Sequence, residues 1–529
     1  MSSASLTMDA ADPWRPAVNP WIIAVVVTMA TFMEVLDTSI ANVALPHIAG
    51  NLSAGTDEST WILTSYLVSN AIVLPLSGWF SSIIGRKRFY MTCVAIFTVS
   101  SLLCGIAPNL GMLIFFRVLQ GAGGGGLQPS EQSILADTFP PAKRGMAFAV
   151  YGLAVVMAPA IGPTLGGWIT DNYTWRWIFL VNIPVGIMSL LLTSRLIQDP
   201  PHTVRKKFSE VRIDYLGLGF LALGLGTLQV VLDKGQRDDW FGSNFILTLT
   251  IVSVASLLFT VFWEWRHKDP IIDLHLFKDR TFAAANIMMF MVGFTLLSST
   301  LLLPQFTQTL LGYTAERAGE ALTPGGFTLV VLMPLVGFLL TRYDPRRLMV
   351  FGFLAVSSSL FYMMRFNLSV DFHTLIYARM VQAGGLGFLF VPINTVAYSY
   401  LPREKNNAAS GLINLARNIG GSVGISLVTT MLARRSQDHQ VYLSRNLSAS
   451  NPNMHRTLEQ TAAALQARGY SPADAMHRAY AMLQNTVFRQ ATMLAYIDNF
   501  WLLGVGILFM VPLVFLMKRP KAGGTIAVH

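Results

Sequence analysis

Arg117-Val118-Leu119-Gln120-Gly121-Ala122-Gly123-Gly124-Gly125-Gly126 lies inside an apolar run, 110–136, long enough to cross a bilayer as a helix. A second stretch, Arg379-Met380-Val381-Gln382-Ala383-Gly384-Gly385-Leu386-Gly387, repeats its spacing 262 residues later. The same shift lays Pro140 on Pro402, Lys143 on Lys405 and Gly162 on Gly424. A constant offset that carries charged residues as well as glycines predicts two halves related by a parallel repeat. Halves related by an axis along the membrane normal form a transporter design, with the substrate site between them near midplane.

Outward from these stretches, fourteen apolar runs have helix-spanning length: 20–44, 59–81, 89–107, 110–136, 145–168, 177–197, 213–232, 243–265, 282–303, 320–341, 347–364, 374–400, 407–432 and 496–517. Helices are the expectation, because lipid cannot satisfy free backbone groups and the runs lack barrel-type alternation. The start of the first run falls on the start of the ninth under the same shift. The predicted fold is therefore an all-α membrane protein of two six-helix bundles, with two accessory helices (213–265) inserted between them. The expected organisation is an N-terminal tail over 1–19, a first bundle over 20–198 and a linker with the accessory helices over 199–281. A second bundle follows over 282–518, including an extramembrane segment over 433–495, and then a tail over 519–529.

Composition agrees. Of 529 residues, 53% are hydrophobic and 12% charged, about half the roughly 25% charged share of soluble domains. That excludes an ordinary cytosolic enzyme, a disordered chain and a secreted disulfide scaffold. The net charge of +10 belongs to loops rather than to nucleic-acid binding. With both termini inside, the inner segments carry 23 of the 38 basic residues and the short outer loops five. This bias predicts a multi-pass membrane protein with both termini cytoplasmic. The polar N-terminus has no short apolar core and does not read as a cleavable signal. Cys93 and Cys104 are eleven residues apart in one run, about 16 Å on a helix, too far for a disulfide. No His/Cys metal pattern and no phosphate loop are present, so no metal, cofactor or nucleic-acid partner is expected.

The charges within the spans are the candidates for chemistry. Glu34 and Asp37 stand three apart on one face of the first span. Ionised carboxylates in lipid must face a cavity or a cation. Desolvation favours the neutral form, so such groups can load and release protons. Asp37 and Arg117 each lie about seven residues from the outer end of their span, about 10 Å deep, close enough in level to pair. The competing reading is a permanent structural ion pair. The fifth span holds Pro159, Gly162, Pro163, Gly166 and Gly167, which predict a kink with tight packing. Glu131 and Asp137 lie at the inner end of the fourth span, where salt bridges to loop arginines are expected. Phe32, Met33 and Met289, with Gln120, Gln382, Arg379 and Arg417, are the candidate lining of a substrate cavity. Met and Phe in spans otherwise pack or face lipid, and Arg379 and Arg417 would favour acidic substrates such as fatty acids.

Together these segments resemble the major facilitator superfamily, specifically its fourteen-span drug:proton antiporters. Leu36-Asp37-Thr38, Asn42 and Ala44-Leu45-Pro46 resemble the first-span motif of that group. Arg117-x-x-Gln120-Gly121 resembles the fourth-span motif, whose Arg assists proton transfer. Gly162-Pro163-x-x-Gly166-Gly167 resembles the fifth-span antiporter motif, and Gly85-Arg86 the inner loop motif that gates the inward side. The strings over 36–46, 114–121, 140–144, 171–179 and 270–280, with the long segment before the last span, are similar to the EmrB branch. There are departures. Ser82 stands where the loop motif usually carries Asp, leaving Asp137 or Glu131 to complete the gate. Ala149 and Ala158 replace the leading glycines of the fifth-span motif, and Glu34 is not part of the family pattern.

The resemblance implies export of hydrophobic or amphipathic compounds, driven by protons through alternating access. The coupling set is Asp37, Glu34 and Arg117. It also implies a periplasmic adaptor (a membrane fusion protein) and an outer-membrane channel as partners. The segment 433–495, with helices expected over 453–468 and 472–490, is the candidate adaptor contact. A dedicated exporter of one metabolite, fatty acid or siderophore is the alternative. A membrane-embedded enzyme or receptor would need a catalytic constellation or signalling domain that the sequence lacks.

Overall fold

Lipid offers the backbone no partner but itself, and every one of the fourteen apolar runs folds as helix. The structure, a computed structural model, describes residues 16, 18–199, 214–267, 270–445, 447 and 451–518. Most of both predicted tails, with Arg15, Arg205, Lys206, Lys207, Arg212, Lys268, Arg519 and Lys521, lies outside the described residues.

The first half comprises α1 (Pro20–Asn51), α2 (Trp61–Ile84), α3 (Arg86–Gly105), α4 (Leu110–Thr138), α5 (Pro141–Asn172) and α6 (Trp177–Leu196). The accessory pair is α7 (Tyr215–Lys234) and α8 (Asn244–Arg266). The second half comprises α9 (Arg280–Leu311), α10 (Ala315–Leu339), α11 (Pro345–Met363), α12 (Phe372–Ala397), α13 (Asn406–Ser444), α14 (Pro452–Gln466) and α15 (Pro472–Leu508). Among the described residues there is no strand. Eleven helices among the described residues are long and apolar enough to cross a membrane, and α5 makes twelve when its two arms are taken as one span. The Ser- and Arg-bearing α11 and the Asn- and Ser-rich α13 occupy the two remaining runs, consistent with fourteen spans. The protein is a multi-pass membrane protein.

Local sequence sets the ends. Asn19 caps α1 through the Trp21 amide, with Pro20 in the first turn. Asp279 caps α9 through the amides of Thr281 and Phe282. Gly85 joins α2 to α3 with φ of 91°, a conformation that a side chain would strain. Within α4 the helix is interrupted at Gly125 and Gly126.

The packing repeats as the 262-residue offset requires. α1 lies on α5 as α9 lies on α13. α2 and α3 lie on α4 as α10 and α11 lie on α12. The halves meet along two related lines, α2 with α13 and α5 with α10. The accessory α7 packs on α2 and reaches α13, so the inserted pair covers one of these lines. Gln229 accepts from Ser422 at 3.0 Å there.

The inner end, the one carrying Gly85 and Pro140, is closed between the halves. Gln132 accepts from Tyr398 (2.9 Å) and Asn414 (2.8 Å) and donates to Asn394 (3.3 Å). Asn406 donates to Asp137 at 2.8 Å, and Ser410 to the Pro129 carbonyl at 2.8 Å. Two glycines allow this approach. A Cβ on Gly78 would stand 2.9 Å from Ala408 Cα, and one on Gly145 2.9 Å from Leu340 Cδ1. Under the 262 shift Gly78 falls on Leu340 and Gly145 on Asn407, the neighbour of Ala408, so the two contacts are copies of each other.

At both ends the stretch 433–495 continues a helix of the bundle. α13 continues to Ser444, and α15 runs unbroken from Pro472 through the start expected for the last span at 496. No glycine or proline stands between Pro472 and Gly504 to end the helix at that point. Ser471 caps α15 and Pro472 opens it. α14 lays Leu458 and Ala462 on Ala475 and Ala479 of α15. Past α15 the chain turns at Phe509 and Met510 before a last short helix, Val511–Val514.

Gly78→Val should prevent inner closure. Spin labels on the inner ends of α2 and α13 should move apart relative to the parent. An unchanged distance distribution would show that this contact does not set the closed state.

Candidate proton and substrate site

Asp37, fully buried on α1, is held from two other helices. Arg117 Nη1 of α4 donates to its Oδ2 at 2.6 Å. Gln120 Nε2 of α4 and Asn182 Nδ2 of α6 donate to its Oδ1 at 3.0 and 2.7 Å. Arg117 also donates to Gln120 Oε1 (2.7 Å) and to the Ile62 carbonyl (3.1 Å). The guanidinium lies 4.3 Å from the centroid of the Tyr66 ring and 5.6 Å from that of Phe179. The ring faces cover a cation that is 0% exposed. Ser101 accepts from both Gln120 and Asn182, which fixes their amides. Gln120, expected in the substrate cavity, is thus part of the Asp37 site.

One turn inward, Glu34 is also buried. It accepts from Gln128 Nε2 (2.5 Å), Tyr66 OH (3.1 Å) and Asn70 Nδ2 (3.3 Å). No cation touches it directly among the described residues. Instead Gln128 Oε1 accepts from Arg417 of α13 and from Tyr151 (3.3 Å). Arg417 belongs to the second half, so Gln128 joins a first-half carboxylate to a second-half guanidinium. Tyr66 joins the two acids, its ring under Arg117 and its hydroxyl on Glu34.

The second half holds a degenerate copy. Arg379 donates to Gln382 Oε1 at 2.6 Å, as Arg117 does to Gln120. Where the shift would place Asp37 stands Ser299, which accepts from Arg379 at 3.2 Å, as does Thr300. Among the described residues neither Arg379 nor Arg417 bonds to a carboxylate. At these equivalent positions the first half pairs acid with guanidinium, and the second keeps the guanidinium without the acid.

At the inner end Arg86 pairs with Asp137 and donates to the Ser133 carbonyl at 3.3 Å. Ser82 bonds instead to the Trp79 carbonyl of its own helix, so Asp137 is the acid beside Arg86. Glu131 differs from the expectation. It makes no salt bridge among the described residues, because its side chain points to α1 and accepts from Thr28 at 2.6 Å. In α5 a 45° bend separates Lys143–Pro159 from Ile161–Asn172, at the Pro-Gly-Pro string. Ser39 donates to the freed Pro159 carbonyl at 3.3 Å. A Cβ on Gly162 would meet Ser39 Oγ at 2.3 Å, and one on Gly166 would meet Ile40 at 3.0 Å. Around Gly167 there is open space. Pro163 stands in the same bent stretch. Met33 and Met289 are buried in the main core, and Phe32 is half-buried against the outer cluster of α1. In this closed state the two methionines pack rather than line a cavity.

Gln128, Asn182, Ser101, Tyr66, Asn70 and Tyr151 escaped the sequence reading. Their one signal was polarity inside an apolar run. Gln128 falls eight residues after Gln120, past the break at Gly125 and Gly126.

Two pseudo-symmetric bundles around buried charge define a transporter, not an enzyme. Residues 27–425 match the Major Facilitator Superfamily. The chain is 36% identical to the multidrug export protein EmrB of Escherichia coli strain K12 over 504 residues, 95% of this chain and 96% of that protein. It is 38% identical to the fatty acid resistance protein FarB of Neisseria gonorrhoeae, over 97% of this chain and 98% of that one. A solved structure of the proton:xylose symporter XylE shares the fold, with a TM-score of 0.61 at 13% identity over 95% of this chain and 97% of that one. The chain belongs to the major facilitator superfamily and, within it, to the EmrB-type efflux transporters.

Removing one partner of a buried pair strands the other charge. Arg117→Ala should destabilise the detergent-solubilised protein by about 3–5 kcal/mol. Adding Asp37→Ala should return part of that loss in a double-mutant cycle of unfolding. Strictly additive losses would show that the two side chains are not coupled.

Proposed function

We propose that this multidrug efflux transporter is a proton-coupled antiporter of the cell inner membrane, with both termini cytoplasmic. It exports hydrophobic and amphipathic compounds. The observation that carries the reading is the Asp37–Arg117 pair, buried one helical turn from Glu34. A proton arriving on Asp37 removes the charge that holds Arg117, and a pair worth keeping in lipid becomes a lone guanidinium. The freed cation then favours a different packing of α4 against α1 and α6. Glu34 passes the same information across the halves, since Gln128 answers to both Glu34 and Arg417. The inner closure at Gln132 and the Arg86–Asp137 pair form the gate that the change opens. The strong bias of basic residues to the inner loops supports the orientation.

The multidrug name of the EmrB relative supports a broad substrate range, with Phe32 and the packed Met33 and Met289 exposed as the halves separate. The fatty acid resistance name of the FarB relative supports a second reading, export of apolar acids. Arg379 favours it, being a buried guanidinium whose partners are the neutral Gln382, Ser299 and Thr300. The outer projection built from α13, α14 and α15 fits contact with a periplasmic adaptor, and through it an outer-membrane channel.

Asp37→Asn should leave the protein inserted but abolish dye accumulation driven by a pH gradient in proteoliposomes. Undiminished pH-driven transport would refute the assignment. Replacing α14 by a short flexible linker should abolish drug resistance in cells while vesicle transport persists. Equal loss in both assays would remove the adaptor role.

A further inference from the structure

The contact between α1 and α4 is polar from the Asp37 site to the inner end. On α1, Asp37, Glu34, Thr31 and Thr28 follow each other at three-residue spacing, about 13.5 Å from first to last. On α4 they face Arg117 and Gln120, then Gln128, then Glu131. Glu131 ends this line. It is 0% exposed. One carboxyl oxygen is bonded to Thr28; the other makes no hydrogen bond of ordinary geometry, and the Thr31 hydroxyl lies close enough to act on it.

The proton-antiport reading above does not use this carboxyl, and among the described residues no salt bridge reaches it. From α1 the titratable group acting on it is Glu34, another acid. α2 bears no charged side chain along its length, and its Tyr66 is bonded to Glu34. From α3, Tyr90 donates to the Val27 carbonyl, Cys93 is an uncharged thiol and Arg86 is held by Asp137. From α5, Tyr151 is bonded to Gln128 and Asn414, and Arg144 donates to the Phe139 carbonyl. From α13, Arg417 is bonded to Gln128 and Tyr151. A bare carboxylate in such a place costs several kcal/mol, whereas a carboxylic acid does not.

We propose that Glu131 is a second proton-carrying group, the inner station of a proton path that runs along α1 and α4 within the first half. Thr31 accepts a proton from the Glu34 carboxyl and gives its own hydroxyl proton to Glu131. Glu34 is left ionised opposite Gln128, where Arg417 stabilises it. Gln132, the next residue of α4, is the centre of the inner closure. Opening that closure brings water to the same turn and lets Glu131 discharge inward. The path thus releases its proton only when the inner end is open.

The test is Glu131→Gln in full-length protein in proteoliposomes, with rhodamine 6G as the transported probe. Glutamine keeps an acceptor for Thr28 and carries no exchangeable acid. Dye counterflow without a gradient should stay near that of the parent. Accumulation driven by a pH gradient should fall by about tenfold, an ordinary coupling free energy, and Glu131→Asp should restore part of it. Parental pH-driven accumulation by Glu131→Gln would overturn the proposal. So would equal loss of counterflow and driven transport, which marks a structural role. A parent that moves rhodamine 6G with no dependence on the pH gradient would instead overturn the antiport reading.

Discussion

A charge in lipid has to be neutralised where it stands, and in this chain the neutralised charge is Asp37. Arg117, Gln120 and Asn182 converge on it from two helices, so α1, α4 and α6 are held at one point. Tyr66 covers the guanidinium and brings α2 into the same contact. The arrangement is stable only while the acid is ionised. The same interaction therefore fixes the first bundle and, in the function we propose, makes it responsive to a proton.

The two halves share a framework and differ in chemistry. Their helices pack by one scheme, and their contacts across the interface are copies. Yet Ser299 stands where Asp37 would fall, and Leu296 where Glu34 would fall. The second half keeps Arg379 and its glutamine but has no acid at that position. Its contribution is positive charge, with Arg417 reaching through Gln128 toward Glu34. A transporter whose halves rock against each other gains from this division, because the protonated half and the responding half then move relative to one another.

The repeat, the helices and the pairing level of Asp37 with Arg117 were legible because they depend on spacing along one helix or between equal offsets. What the sequence hid depends on direction. Glu131 and Asp137 look alike as acids near an inner loop, but one points to Arg86 and the other to Thr28. Gln120 reads as a cavity residue until its amide is seen on Asp37. Gln128 sits among small and polar residues, and nothing local marks it as the bridge between halves. The continuity of the long segment with the last span was hidden for another reason. Its polarity marks where the apolar run begins at 496, but no glycine or proline between Pro472 and Gly504 ends α15 at that boundary.

The central claim is that substrate and proton exchange at a carboxyl coupled to Arg117. Infrared difference spectra of the reconstituted protein, recorded on substrate addition, read that exchange directly. The account predicts loss of a protonated-carboxyl band, matched by proton release and missing from the difference spectrum of Asp37→Asn. A substrate-induced spectrum without any carboxyl change, or one identical in Asp37→Asn, would contradict it.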